Sequence, residues 1–289
     1  MTQQELRSFF TPYIRAAYPS CERGGPDTLF VGEEGLTAWA RLQGLTLRDA
    51  MRELLSVHIW PERFRRNYGL FSVMAMRHML KSRILLLGCG GLGGHVAALL
   101  ARMGVGTLRL CDYDVFDESN LNRQYFALHA TLGKGKAATT ADGLRAMASH
   151  MDCEVIAAPA SEDTLPGLVA GMDLAVDCLD SIPLKLALER AALRAGVPFV
   201  HGSVLREEGF AFLSLKEERL PSLYPHSGRD EDEKTRAQAM SGIAAAGIAC
   251  LMAQLCTRHL CRVAEGREPI ASPLYHLDYS VPELESFFS

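Results

Sequence analysis

The chain has 289 residues and is 48% hydrophobic, enough for one large α/β domain with a small appendage and a substantial core. A net charge of −4 argues against a broad nucleic-acid or membrane surface, and no run of about eighteen apolar residues predicts a membrane span. The opening Met1-Thr2-Gln3-Gln4-Glu5-Leu6-Arg7 lacks the basic-then-apolar order of a secretory signal. The cysteines (Cys21, Cys89, Cys111, Cys153, Cys178, Cys250, Cys256, Cys261) are scattered without a Cys-x-x-Cys pair. The expectation is a soluble, reduced, cytoplasmic protein with neither nucleic acid nor membrane as partner.

Residues 1–60 read as a small helical N-terminal extension. Thr46 to Val57 is amphipathic, with Leu47, Met51, Leu54 and Leu55 on one face and Thr46 able to cap the start. Leu29 to Gly32 suits a short strand or turn. A second domain is expected over 61–289, opening with a basic helical stretch at 62–82. Arg83-Ile84-Leu85-Leu86-Leu87 is then a short apolar run ending in glycines, as for a strand buried on both faces of a parallel sheet.

Helix and strand alternate from there: helix from His95 to Met103, strand at Leu108–Cys111, helix from Lys136 to Ala148, strand at Glu154–Ala157. A short helix at Leu165–Ala170, a strand at Leu174–Asp177, a helix from Pro183 to Ala195 and a strand at Pro198–His201 follow. That rhythm predicts an α/β fold with a doubly wound, mainly parallel sheet. After residue 205 it changes. Phe210–Leu215 and Leu274–Asp278 read as strands of an antiparallel C-terminal extension. Between them lie a charged loop at Gly228–Arg236 and an Ala-rich helix from Ala237 to Val263, with possible breaks at Gly242 or Gly247.

Gly88-Cys89-Gly90-Gly91-Leu92-Gly93 matches a nucleotide-binding loop. Gly88 lets the chain leave the strand sharply, Gly90 lets backbone approach a phosphate or ribose, and Gly93 lets the helix pack on the sheet. The helix start offers free N–H groups and a positive dipole end. Taken alone, the loop suits a tight turn, NAD or ATP. Asp112, nineteen residues after Gly93, ends the second strand, where a carboxylate can accept from both ribose hydroxyls of either nucleotide. The following stretch separates them. Asn120, Arg123 and Gln124, then Lys134 and Lys136, place an amide, a guanidinium and ammonium groups after the ribose carboxylate. A triphosphate needs its charge neutralised at several oxygens; a dehydrogenase needs no such cluster there.

With these residues the chain resembles the MoeB/ThiF/HesA group, whose Rossmann-like adenylating fold is shared with ubiquitin-activating enzymes. The likeness covers residues of about 62–280. It rests on the Gly-x-Gly-Gly-Leu-Gly loop, Asp112-x-Asp114, the Ser119-Asn120-Leu121-x-Arg123-Gln124 run, Gly133-x-x-Lys136 and Asp177-Cys178-x-Asp180. The resemblance implies ATP and Mg2+. Asp112 would hold the ribose, Asn120, Arg123 and Gln124 contact phosphates or shape the site, Lys136 neutralise phosphate charge, and Asp180 ligate Mg2+. Lys134 ranks as a solvated lysine. Ser181 stands where the family often has asparagine.

Within Glu62-Arg63-Phe64-Arg65-Arg66-Asn67 the resemblance matches Arg66 to an arginine that reaches the ATP site of a second subunit, which implies a homodimer. It further implies adenylation of the C-terminal Gly-Gly carboxylate of a small ubiquitin-like sulfur carrier of the molybdopterin or thiamine type. Alternatives are a peptide or other carboxylate substrate with residues 1–60 as a clamp, an NAD-dependent oxidoreductase, and an inactive carrier-binding scaffold. Many relatives carry two zinc-binding Cys-x-x-Cys pairs. Here Leu220-Pro221-Ser222-Leu223-Tyr224-Pro225-His226 stands in that place, so no zinc is expected. Residues 216–240 hold no cysteine for a thioester, and Cys89 and Cys178 read as small buried packing residues.

Overall fold

The computed structural model describes residues 3–19, 26–225, 239–281 and 283–287. The charged loop expected at 228–236 therefore lies outside the described residues, as does Cys21. The N-terminal part carries α1 (Gln3–Phe10), β1 (Ile14–Tyr18), β2 (Thr28–Val31), α2 (Glu33–Gln43), α3 (Leu47–Leu55) and β3 (Ile59–Pro61). Its helices are joined by a three-stranded sheet of order β1-β2-β3, so β3 crosses the boundary expected between residues 60 and 61. As expected, Thr46 caps α3, its Oγ1 accepting from Asp49 N at 3.1 Å. Phe10, Phe30, Trp39 and Trp60 are buried together with the main core. Arg48 ties this part to the large sheet by donating to Gly106 O at 2.8 Å and pairing with Asp152 at 2.9 Å.

The large sheet begins after α4 (Val73–Lys81). Its elements are β4 (Arg83–Leu87), α5 (Gly93–Met103), β5 (Thr107–Cys111), α6 (Lys136–Met147), β6 (Asp152–Ile156), α7 (Leu165–Val169), β7 (Leu174–Asp177) and α8 (Ile182–Arg194). They continue through β8 (Phe199–Leu205), β9 (Glu208–Ser214), α9 (Leu220–Leu223), α10 (Gly242–Ala264), β10 (Leu274–Asp278) and β11 (Glu283–Phe287). The eight strands lie in the order β11-β10-β9-β8-β7-β4-β5-β6. From β6 to β8 neighbours pair in parallel; from β8 to β11 they pair antiparallel. One apolar cluster packs α4, α5 and α10 on one face, and a second packs α7, α8 and α9 on the other. The fold is the doubly wound sheet with antiparallel extension that the alternation predicts.

The order reverses at β4, which has β5 on one side and β7 on the other, opening a crevice at the carboxyl ends of β4 and β7. The Ala-rich helix runs unbroken through Gly247 and starts at Gly242, where Ser241 Oγ accepts from Ile243 N at 3.2 Å. By length and mean hydropathy (1.3) α10 could cross a bilayer, but 61% of its apolar window is buried inside the protein, as befits a core helix.

Candidate nucleotide-binding site

The glycine loop fills the β4–β7 crevice. Gly88 has φ +97°, in the left-handed region that favours glycine, and a Cβ there would lie 2.4 Å from Cys178 O after β7. A Cβ on Gly93 would lie 1.9 Å from Gly88 O, so both glycines are demanded by the protein itself. Gly90 and Gly91 differ. Their nearest neighbours would be Gln124 Nε2 at 3.6 Å and Met240 Sδ at 3.5 Å, ordinary contacts, so the chain does not need glycine there for its own packing. The loop leads into the N-terminus of α5, where free N–H groups suit a phosphate.

Asp112 ends beside this loop. Its Oδ2 accepts from Cys89 N at 2.7 Å and its Oδ1 from Asp114 N at 2.9 Å. Burial pushes its carboxyl above the ordinary value, with the two N–H groups and the Lys136 ammonium opposing. Each oxygen keeps a lone pair for a hydroxyl. Lys136 opens α6 and is 8% exposed; its Nζ pairs with Asp114 Oδ2 at 3.2 Å and its N–H donates to Asp114 O at 2.8 Å. Lys134 is exposed, and its carbonyl accepts from Phe116 N at 2.9 Å.

The run from 117 to 124 is a tight turn. Asn120 shapes it: Oδ1 accepts from Asp117 N at 3.2 Å and Nδ2 donates to Ser119 Oγ at 3.3 Å. The Arg123 stem lies 3.7 Å from where a Gly91 Cβ would stand, and its Nη1 donates to Ser119 O at 2.7 Å and Asn122 Oδ1 at 2.8 Å. Gln124 is buried beside Gly90, and its Oε1 has no hydrogen-bond partner among the described residues. Leaving a buried amide oxygen unpaired costs about 1–3 kcal/mol, which a ligand group reaching the loop would recover.

Asp180 stands exposed just past β7, two residues after the Cys178 carbonyl that abuts Gly88. Among the described residues no three His, Cys, Asp or Glu side chains group to hold a metal ion. A single carboxylate at this edge fits Mg2+, whose other ligands are phosphate oxygens and water. Cys89 and Cys178 are packing thiols: burial pushes both well above the usual thiol range.

Arg66 is not brought to this site by its own chain. It is exposed on the turn Glu62–Asn67, whose Phe64 packs on Gly104 at the far end of α5, while Arg63 donates to Met147 O at 3.0 Å. An eleven-residue helix puts about 16 Å between that end and the loop.

Sequence reasoning missed Asp114 as the partner of Lys136, although it singled out the Asp-x-Asp spacing. It also missed a buried group behind the site: Asp177, Lys185 and His201. The Asp-Cys-x-Asp motif contains Asp177; Lys185 and His201 carried no local signal.

Residues 64–287 match the ThiF family. The chain belongs to that family. The ThiF-family chain is 39% identical over 137 residues to the adenylyltransferase and sulfurtransferase MOCS3 of Mus musculus, covering 47% of this chain and 30% of that protein. It is 35% identical over 128 residues to the molybdopterin-synthase adenylyltransferase of Salmonella typhimurium, covering 44% of this chain and 51% of the relative. It thus spans about half or less of these relatives' length. Escherichia coli MccB solved with ATP shares the fold: TM-score 0.63 and 20% identity, over 78% of this chain and 70% of MccB.

Proposed function

We propose that this ThiF-family chain, through a domain of residues 61–289, adenylates the C-terminal carboxylate of a small ubiquitin-like sulfur carrier ending in Gly-Gly. ATP is consumed and pyrophosphate released. The observation that carries the reading is the convergence of Asp112, Arg123, Gln124 and Lys136 around a glycine loop whose Gly90 and Gly91 the chain's own packing does not require. The adenylyltransferase names of the two curated relatives support the reaction, and MccB solved with ATP supports the nucleotide.

A carrier carboxylate oxygen attacks the α-phosphorus, the bond to the bridging oxygen breaks, and its electron pair leaves with pyrophosphate. Asp112 takes the ribose hydroxyls. Arg123 and Lys136 offset charge on the phosphate oxygens, Lys136 exchanging its bond to Asp114 for one to phosphate. Gln124 Oε1 accepts from a donor on the bound nucleotide. Asp180 would hold Mg2+, which would supply charge neutralisation at the leaving pyrophosphate. Arg66, remote from its own loop, serves the loop of a second copy, so the enzyme works as a homodimer in the cytoplasm.

The test is ATP–pyrophosphate exchange with labelled pyrophosphate and a purified ubiquitin-fold protein ending in Gly-Gly. Exchange is expected only with the carrier present, and Asp180→Ala is expected to lower it about 100-fold while circular dichroism stays unchanged. Hydride transfer to NAD without exchange, or full exchange by Asp180→Ala, defeats the reading.

A further inference from the structure

We propose that His201 is a positioning residue for the adenylation site, acting through Asp177 on the turn that presents Asp180. The inference rests on the metal role given to Asp180 above. Asp177 ends β7, lies opposite His201 of β8 in the parallel register and is fully buried. Its Oδ1 accepts from Leu179 N at 2.9 Å, which ties down the turn leading to Asp180. Its Oδ2 is held from two sides, by His201 Nδ1 at 2.7 Å and Lys185 Nζ at 3.3 Å. Lys185, on α8, is only 4% exposed, so the ion pair balances charge inside the protein.

The donor directions agree with one another. Asp177 is the acceptor, so Nδ1–H donates and Nε2 is the bare nitrogen of a neutral imidazole. Tyr224 places its hydroxyl 3.5 Å from that Nε2, and its O–H donates there. Phe199 and Phe212 flank the fully buried imidazole at 6.4 and 5.2 Å between centroids. A chain of donors therefore runs from Tyr224 through His201 to Asp177, while Leu179 N–H fills the other carboxylate oxygen.

Without the Nδ1–H donor the carboxylate has only Lys185 on its Oδ2 side. It swings toward that ammonium and loosens its hold on Leu179 N–H, and the backbone of residues 178–180 gains freedom. Groups that orient a metal-binding carboxylate from behind typically govern about 10–100-fold in metal affinity. Lys185 and Asp177 supply charge; His201 supplies direction, because among the described residues it is the donor that approaches Oδ2 from the sheet.

Mn2+ serves as the probe, its binding to the purified protein in the presence of a non-hydrolysable ATP analogue read from the electron paramagnetic resonance of free Mn2+. His201→Leu is expected to weaken Mn2+ binding about 10-fold or more, with analogue binding in chelator unchanged. His201→Asn puts an amide N–H where Nδ1–H stood and is expected to bind Mn2+ within about twofold of the parent, a rescue that mere packing would not give. If His201→Leu does not fold, His201→Gln, whose amide reaches toward Tyr224 instead, is expected to show the same weakening. Parent-like Mn2+ binding by His201→Leu or His201→Gln, or equal loss in His201→Asn, overturns the proposal. Parent-like binding by Asp180→Asn overturns the metal reading of Asp180 and the proposal with it, whereas weakened binding there alongside parent-like binding in His201→Leu overturns the proposal alone.

Discussion

A methyl group on Gly93 would stand 1.9 Å from Gly88 O, a backbone atom that cannot move without dragging β4, whereas one on Gly90 would meet only the Gln124 amide at 3.6 Å. The four loop glycines therefore divide into two kinds that sequence alone does not separate. Gly93→Ala is expected to lose about 3 kcal/mol, a fall of roughly 6–12 °C in Tm, through a clash relieved only by parting helix from strand. Gly90→Ala is expected to melt within roughly 2 °C of the parent. It should nevertheless bind an ATP analogue about tenfold more weakly, some 1.4 kcal/mol, because its methyl would stand where a phosphate or ribose approaches the loop backbone. Differential scanning calorimetry and analogue titration on both variants check the contrast. Equal melting losses in the two would mean that Gly90 also serves the fold.

Buried polar groups on α8 tie neighbouring elements of the sheet together. Glu189 is fully buried, and its carboxylate accepts from Ser214 Oγ at 3.0 Å, Arg219 N at 3.0 Å and Leu220 N at 2.8 Å. One side chain thus joins the end of β9 to the start of the four-residue α9, too short to hold itself. Glu189→Gln keeps the size but turns one acceptor into a donor facing donors. Urea denaturation is expected to show a loss of about 1–3 kcal/mol; a variant as stable as the parent would mean that α9 needs no such anchor. Glu189 and Lys185 also show where sequence reading stops. Charged residues on a helix read as a solvated face, and only pairing with β7, β8 and β9 buries these two. The apolar run Arg83–Leu87 was legible because burial on both faces writes itself into consecutive residues. β1, with alternating half-buried positions, and the three-residue β3, ending in Pro61, were not, since their pairing is set by distant partners. Within the site, the loop, Asp112 and the 120–124 run could be read from spacing. The His201–Asp177 contact spans 24 residues and left no local mark.

Histidines lie in several packing layers, and burial holds them neutral. Burial pulls His78, His95, His201 and His259 below the usual 6.5, and it takes His150, packed at 5.6 Å against the Phe64 ring, down to about 3. Between such a folded value and 6.5 the unfolded chain binds the proton and the folded chain does not. Stability is therefore full above about pH 6.5 and drains away as pH falls below it. The buried Asp177 carboxylate adds a second loss only at lower pH. Burial disfavours its charge, but Lys185 and His201 outweigh that and hold it below 3.8, so its contribution goes as pH falls through the carboxylate range. At pH 5.5 His150 pinned neutral costs about 1.4 kcal/mol, and the other lowered histidines add to the loss in the same direction. Urea unfolding at pH 7.5 and 5.5 is expected to show a clear drop in stability. Glutamine cannot titrate, so His150→Gln is expected to shrink that drop by about 1.4 kcal/mol, whatever it does to stability at pH 7.5. A pH-dependent drop unchanged in His150→Gln would show that the proton reaches this imidazole in the folded state and that the joint between the N-terminal part and the sheet opens to water.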